Sequence, residues 1–213
     1  MNVRNFNKEM ENTISTFENR VPTLLLHSCC APCSSACLYA LVPYFKITVL
    51  YYNPNITDVS EYEKRLEEER SFIKKLNEAK QVGKEFDPSL PYHDISLIDG
   101  RYEPKEFFES VKGYESCPEG GERCFICYEL RLREAAKVAS LKGFDYFATT
   151  LTLSPLKNAA KLNEIGEKLS NEYDATYLVS DFKKKDGYKR SIQLSKEYDL
   201  YRQDYCGCIY SRR

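Results

Sequence analysis

Nine cysteines in 213 residues are the groups of this chain best able to do chemistry, and eight of them fall into three clusters. Cys29, Cys30 and Cys33 follow an apolar run, Cys117, Cys124 and Cys127 lie mid-chain, and Cys206 and Cys208 stand near the end. One tetrahedral structural zinc takes four ligands, so seven or eight thiolates exceed what it uses. Soft ligands in such number select iron-sulfur chemistry, or zinc at more than one site. Cys124 and Cys127 also have the spacing of a redox dithiol, a reading that leaves the other cysteines without a role. The same pair matches half of a zinc ribbon, but no second Cys-x2-Cys follows. Cys37 is the odd one out and reads as a small buried residue of a helix.

The spacing around these thiols carries further expectations. Neighbours in an extended stretch point to opposite faces, so Cys29 and Cys30 are expected to serve two metal centres on either side of their loop. Cys124 and Cys127 sit at a loop-to-helix junction, where a helix N-terminus stabilises thiolate charge. Gly120 and Gly121 let the backbone fold tightly around a bulky inorganic group, and Gly207 gives the Cys206/Cys208 pair a flexible bend.

The elements that must position them alternate between strand and helix. Expected strands run from Thr23 to His27, Ile47 to Tyr52, Tyr92 to Leu97, Tyr146 to Leu151 and Ala175 to Val179. Helices are predicted in residues 1–20 and over Ser34 to Leu41, Glu61 to Ala79, Lys105 to Val111, Phe125 to Lys142, Pro155 to Leu169 and Gly187 to Tyr198. This order predicts an α/β fold, a doubly wound and mostly parallel sheet of about five strands, with the cysteine loops at the carboxyl ends of the strands. No Pro/Gly/Ser-rich linker divides the chain, so residues 1–213 read as one domain.

With 31 basic and 32 acidic residues the formal net charge is −1, and no global field recruits nucleic acid or an acidic membrane. The first 20 residues are polar, and no run approaches the roughly 18 apolar residues of a membrane span. A cytoplasmic protein with no membrane partner is expected, and a reducing cytosol does not sustain disulfides.

Leu24 to Cys33, the segment Cys117-Pro118-Glu119-Gly120-Gly121-x-Arg123-Cys124-x2-Cys127 and the late Cys206-Gly207-Cys208 together resemble the QueH family of epoxyqueuosine reductases, the non-cobalamin type. The resemblance implies removal of the epoxide oxygen from epoxyqueuosine at the tRNA wobble position. It also implies a [4Fe-4S] cluster with an adjacent mononuclear iron. On that basis Cys30, Cys117, Cys124 and Cys127 are expected at the cluster, and Cys29, Cys206 and Cys208, with a carboxylate such as Asp204, at the second iron. No Gly-x-Gly-x-x-Gly follows the first strand, so an external donor such as ferredoxin or flavodoxin is expected to supply electrons. A tRNA sulfur-transfer enzyme is the alternative, although Cys29 to Cys33 occupy the place its Ser-Gly-Gly-x-Asp-Ser phosphate loop would need. A zinc-stabilised binding module is the other.

Asp204, Tyr205, Glu119 and His27 lie within sequence reach of the cysteines and are the candidate proton donors; His93 reads as an ordinary polar position. Lys183 to Arg190, with Arg202, Arg212 and Arg213, form the one concentrated basic region. It suits the phosphates and splayed bases of an anticodon loop. Thr149 to Ser154, with Lys157 and Asn158, place polar groups at another strand end, Ser154 being an expected helix cap.

Overall fold

The computed structural model describes residues 4–18, 20–81 and 92–212. Their five strands are β1 (Thr23–Ser28), β2 (Lys46–Tyr51), β3 (Ser96–Asp99), β4 (Tyr146–Thr149) and β5 (Thr176–Tyr177), and seven α-helices are interleaved with them. These are α1 (Phe6–Ser15), α2 (Ala31–Leu41), α3 (Val59–Gln81), α4 (Pro104–Ser110), α5 (Glu122–Lys142), α6 (Ala159–Ser170) and α7 (Gly187–Glu197). The strands form one sheet in the order β3-β2-β1-β4-β5, and all four pairings are parallel.

Burial on both faces explains why β1 is an unbroken apolar run rather than an alternating one. Leu24 and Leu26 enter a core with Ile47, Val49, Phe72 and Leu194, packed by α2, α3 and α7. Leu25, between them, points the other way, toward Leu132, Ala136, Phe147 and Ile165 beneath α5 and α6. The first three strands run outward from β1 on one side, and β4 then pairs on its other side. The strand order therefore reverses between β1 and β4. Open α/β sheets bind ligands at such a switch point, outside the carboxyl ends of the strands.

Several boundaries differ from the sequence reading because side chains take over backbone groups. The third strand begins at Ser96, not Tyr92, since Asn77 of α3 binds both the N–H and the C=O of Ile95, at 2.9 and 3.0 Å. The fourth ends at Thr149, whose Oγ1 accepts from the Leu151 N–H at 3.2 Å and turns the chain into a 3-10 helix, Thr150–Leu153. The fifth keeps two residues because Asn163 of α6 pairs with the N–H and C=O of Ser180, both at 2.9 Å. Ser154 is not the cap of α6. That cap is Asn158, which accepts from the Lys161 N–H at 3.0 Å.

The C-terminal segment returns to the carboxyl end of the sheet through Arg65 of α3, which is 1% exposed. Its guanidinium pairs with Glu61 at 2.6 Å and donates to the carbonyls of Cys206 and Tyr205, both at 3.3 Å. Gly207 adopts φ +101°, and a Cβ there would meet Ile56 Cγ1 at 2.8 Å. Both features restrict the position to glycine. Gly207→Ala is expected to lower unfolding stability by about 1–3 kcal/mol in denaturant titrations and to weaken metal retention. Unchanged stability would contradict this docking.

Candidate metal centre

β1 ends at Ser28, so Cys29 already lies beyond the strand, and Cys30 is the extended cap residue of α2, at φ −178° and ψ 155°. Pro32 fits the first turn of that helix, where its missing N–H costs nothing, and α2 therefore starts three residues earlier than its predicted Ser34. The consequence corrects the expectation that Cys29 and Cys30 diverge. Their sulfurs are 3.8 Å apart, and both lie within 4.8 Å of the Cys33 sulfur, a grouping that suits a metal ion. Strand alternation does not govern a pair that straddles a strand end and a helix cap.

The thiols of this trio do not titrate alike. Hydrogen bonds from Cys30 and Cys33 hold Cys29 well below the usual thiol range, with Lys157 and Arg131 adding positive charge. Burial pushes Cys30 well up, as does the neighbouring Cys29 charge. Of the three, Cys29 is the thiol whose ionisation the surroundings favour. The Gln203 amide donates to the Cys30 sulfur at 2.7 Å and ties the C-terminal segment to the loop.

The second group forms at the start of α5. The helix begins at Glu122 rather than Phe125, which puts Cys124 and Cys127 in its first two turns. The Gly120 N–H donates to the Cys124 sulfur at 3.2 Å, from a turn in which Gly120 has φ +87°. Cys124 and Cys127 line a small cavity together with Cys206, Cys208, Arg131 and Lys157. Cys206 also lines a larger cavity of about 380 Å³ with Cys29 and Cys33, so it stands between the two thiol groups. Cys117 sits in the preceding loop, its carbonyl bound by the buried Arg123 guanidinium. Cys37 is fully buried, and its thiol donates to the Cys33 carbonyl at 3.3 Å, in keeping with a packing role.

Two cations that the sequence reading did not connect with the thiols face them. Burial alone would favour neutral Lys157, but thiolate charge, from Cys206 first and then Cys29, outweighs it and raises its proton affinity. The same balance, with Cys127 the strongest contributor, holds for Arg131. The donor set thus combines a close trio of thiols with four more that line the neighbouring cavity, beside buried positive charge, which fits an anionic metal-thiolate group.

The candidate acids separate clearly. Asp204, Tyr205 and Glu119 line the larger cavity beside Cys29 and Cys206. His27 lines neither cavity. It is fully buried, its Nε2–H donating to the Tyr52 carbonyl at 3.0 Å and its Nδ1 accepting from the Thr149 hydroxyl at 2.9 Å. Because a carbonyl can only accept, the Tyr52 partner fixes a proton on Nε2. Burial, reinforced by the Arg131 charge, pulls the imidazole down to about 4, so His27 ties β2 and β4 to β1 instead of supplying a proton. His93 precedes β3 and is not part of it.

The basic region adjoins the cavity mouth, where Tyr188 and Arg202 form part of the lining. Arg202 lies over the Tyr188 ring at 5.9 Å, and Tyr188 is 38% exposed. Some of the other cations are engaged within the fold. Lys183 pairs with Asp181 at 2.8 Å, Lys185 with Glu11, and Arg212 with Asp58 at 3.0 Å. Arg213 lies outside the described residues.

A family model described as epoxyqueuosine reductase QueH matches residues 24–213. The chain belongs to this family. A relative named epoxyqueuosine reductase QueH from Staphylococcus epidermidis is 40% identical over 97% of this chain and 84% of its own length. One of the same name from Streptococcus pyogenes serotype M1 is 38% identical over 98% of this chain and 78% of its own. A third, from Thermotoga maritima, is 33% identical over 89% and 90%. Among solved structures, the U34-tRNA thiolase NcsA from Methanococcus maripaludis with its [4Fe-4S] cluster matches 98% of this chain and 67% of that one. Its TM-score is 0.48 at 11% identity, too slight a likeness to bear on function.

The buried neutral His27 has a measurable consequence. An unfolded histidine binds a proton near pH 6.5 and the folded one only near 4, so this residue's contribution to stability is complete above pH 6.5 and is lost as pH falls toward 4. The loss amounts to roughly 3 kcal/mol at most. His27→Gln is expected to flatten the fall in metal-free stability across this interval. Equal pH slopes for the two proteins would refute the neutral assignment.

Proposed function

We infer that this chain is an oxidoreductase that removes the epoxide oxygen of epoxyqueuosine at the tRNA wobble position, giving queuosine. Two electrons and two protons enter, the two C–O bonds break, an alkene forms, and the oxygen leaves as water. The observation that carries this reading is the convergence of cysteines from three distant parts of the chain on the β1–β4 switch point, beside a cavity bordered by cations. Membership of the reductase family supports it. No described helix is long and apolar enough to cross a membrane, and the proposed place of action is the cytoplasm.

The cofactor we propose is a [4Fe-4S] cluster with an adjacent mononuclear iron. When bound, such a centre supplies single electrons and an open, oxygen-seeking coordination position. Cys30, Cys117, Cys124 and Cys127 are the proposed cluster ligands, and Cys29, Cys206, Cys208 and Asp204 those of the second iron, a division that the 3.8 Å between the Cys29 and Cys30 sulfurs allows only for centres side by side. The close approach of Cys33 to Cys29 and Cys30 adds it to the candidates on the β1 side.

The remaining residues have separable tasks. Cys30 is buried, while Cys29 borders the 380 Å³ cavity, which leaves room for a modified base. Tyr205 and Glu119 are the protonating groups within that cavity, with Asp204 in that role only where it is not bound to iron, a task His27 cannot share because both its nitrogens are occupied. Tyr188 offers a stacking surface at the mouth, with Arg202 beside it to meet phosphate. An external one-electron donor of the ferredoxin or flavodoxin type completes the reaction.

The direct test is anaerobic loading with iron and sulfide, then nucleoside analysis of epoxyqueuosine-containing tRNA treated with protein and dithionite. Queuosine is expected, and its absence with fully loaded protein would overturn the reading. Ligand assignment is tested by iron and sulfide analysis of single variants. Cys124→Ser is expected to lose the inorganic sulfide and Cys206→Ser to retain it; the reverse pattern would overturn the division. At the mouth, Tyr188→Ala and Arg202→Ala are each expected to weaken tRNA binding by about 1–3 kcal/mol, as measured by filter binding. Unaltered affinity in both would remove this face from the substrate path.

A further inference from the structure

Three arginines are buried among the described residues, and the fold treats one of them differently. Arg65 is occupied by Glu61 and two backbone carbonyls. Arg123 is occupied by the carbonyls of Tyr114, Glu115 and Cys117. Arg131 is 1% exposed, and only its Nε has a partner, the Cys127 carbonyl at 3.3 Å. Both terminal nitrogens, Nη1 and Nη2, are buried without a hydrogen-bond partner.

A buried guanidinium left in this state is heavily penalised unless something anionic meets it. The side chain borders the cavity of Cys124, Cys127, Cys206 and Cys208, and the thiols whose ionisation would act on it most strongly are those of Cys127, Cys206 and Cys29. Its position on α5, one turn after Cys127 and held by that residue's carbonyl, fixes the fork relative to a candidate ligand. A planar fork with two free donors suits an anion that offers several acceptor atoms.

We propose that Arg131 is a positioning residue for the metal-thiolate centre, its two free nitrogens donating to sulfur of the bound cluster and its charge favouring the reduced state. The inference rests on the reading of the chain as an iron-sulfur reductase. One-electron reduction converts a four-cysteine [4Fe-4S] cluster from a dianion to a trianion, the electron coming from the external low-potential donor. A fixed cation stabilises the trianion more than the dianion, and hydrogen bonds to sulfur act in the same direction. Arg131 thereby makes the centre easier to fill without touching the substrate.

The test compares wild type, Arg131→Met and Arg131→Gln after anaerobic loading, by iron and sulfide content, an EPR-monitored redox titration, and melting of the metal-free and loaded proteins. Both variants are expected to load and to show a reduction equilibrium constant at least tenfold lower, a midpoint about 59 mV more negative. Metal-free Arg131→Met is expected to melt no lower than wild type, because an unpaired buried charge has gone, and to gain less on loading. Reduction constants within threefold of wild type would overturn the proposal, as would equal destabilisation of the metal-free and loaded forms. Arg131→Gln keeps a polar side chain at the site and carries the redox comparison if the methionine variant does not fold. A wild-type protein that takes up no iron and sulfide would contradict the metal reading itself, a result distinct from either.

Discussion

Packing thiols beside buried positive charge is the constraint around which this end of the molecule is built. Cys29 is the thiol of its trio whose ionisation is favoured, Lys157 and Arg131 stand where its charge is felt, and Arg131 has two donors with nothing protein-made to receive them. In a low-dielectric site such groups stabilise one another strongly, and each is costly when alone. The arrangement makes sense as half of an ionic assembly whose other half is inorganic.

The surrounding fold supplies rigidity to that assembly. Cys29 to Cys33 are held between a strand buried on both faces and the first turn of α2, and Cys124 and Cys127 by the start of α5. Cys206 and Cys208 lie outside the strands and α-helices, Cys208 capping a single 3-10 turn, Ile209–Ser211. Their place is set by Arg65, which reaches across from α3 to their backbone, and by a glycine conformation at position 207 that other residues adopt with difficulty. The Gln203 contact with Cys30 then joins the C-terminal segment directly to the β1 loop. The three cysteine clusters, far apart in the chain, meet because the switch point between β1 and β4 gathers loops on one rim.

Much of this was legible in the sequence, for identifiable reasons. The apolar run at Leu24 to Leu26 and the alternation of strands with helices signalled a parallel α/β sheet, and the cysteine spacings signalled a metal centre at its rim. Element ends were less legible because they are decided by side chains from elsewhere. Asn77 truncates β3 and Asn163 truncates β5, and neither contact leaves a local trace. The geometry of Cys29 and Cys30 was misread for a related reason: strand alternation was extended one residue past the strand.

The cations were the least legible part. Arg131 lies within a long charged helix, where an arginine ordinarily faces water, and only its fully buried position reveals otherwise. Lys157 was noted as a polar rim residue, and its proximity to thiols from β1 and from the C-terminus depends on folding. His27, beside the cysteines in sequence, faces away from them toward Thr149 and Tyr52. The central claim is that metal is bound among these converging cysteines. Iron anomalous scattering from crystals of anaerobically loaded protein tests it most directly. The account predicts iron peaks within bonding distance of sulfurs from all three cysteine clusters, with Arg131 facing them, whereas iron located elsewhere, or zinc alone at the thiols, would contradict it.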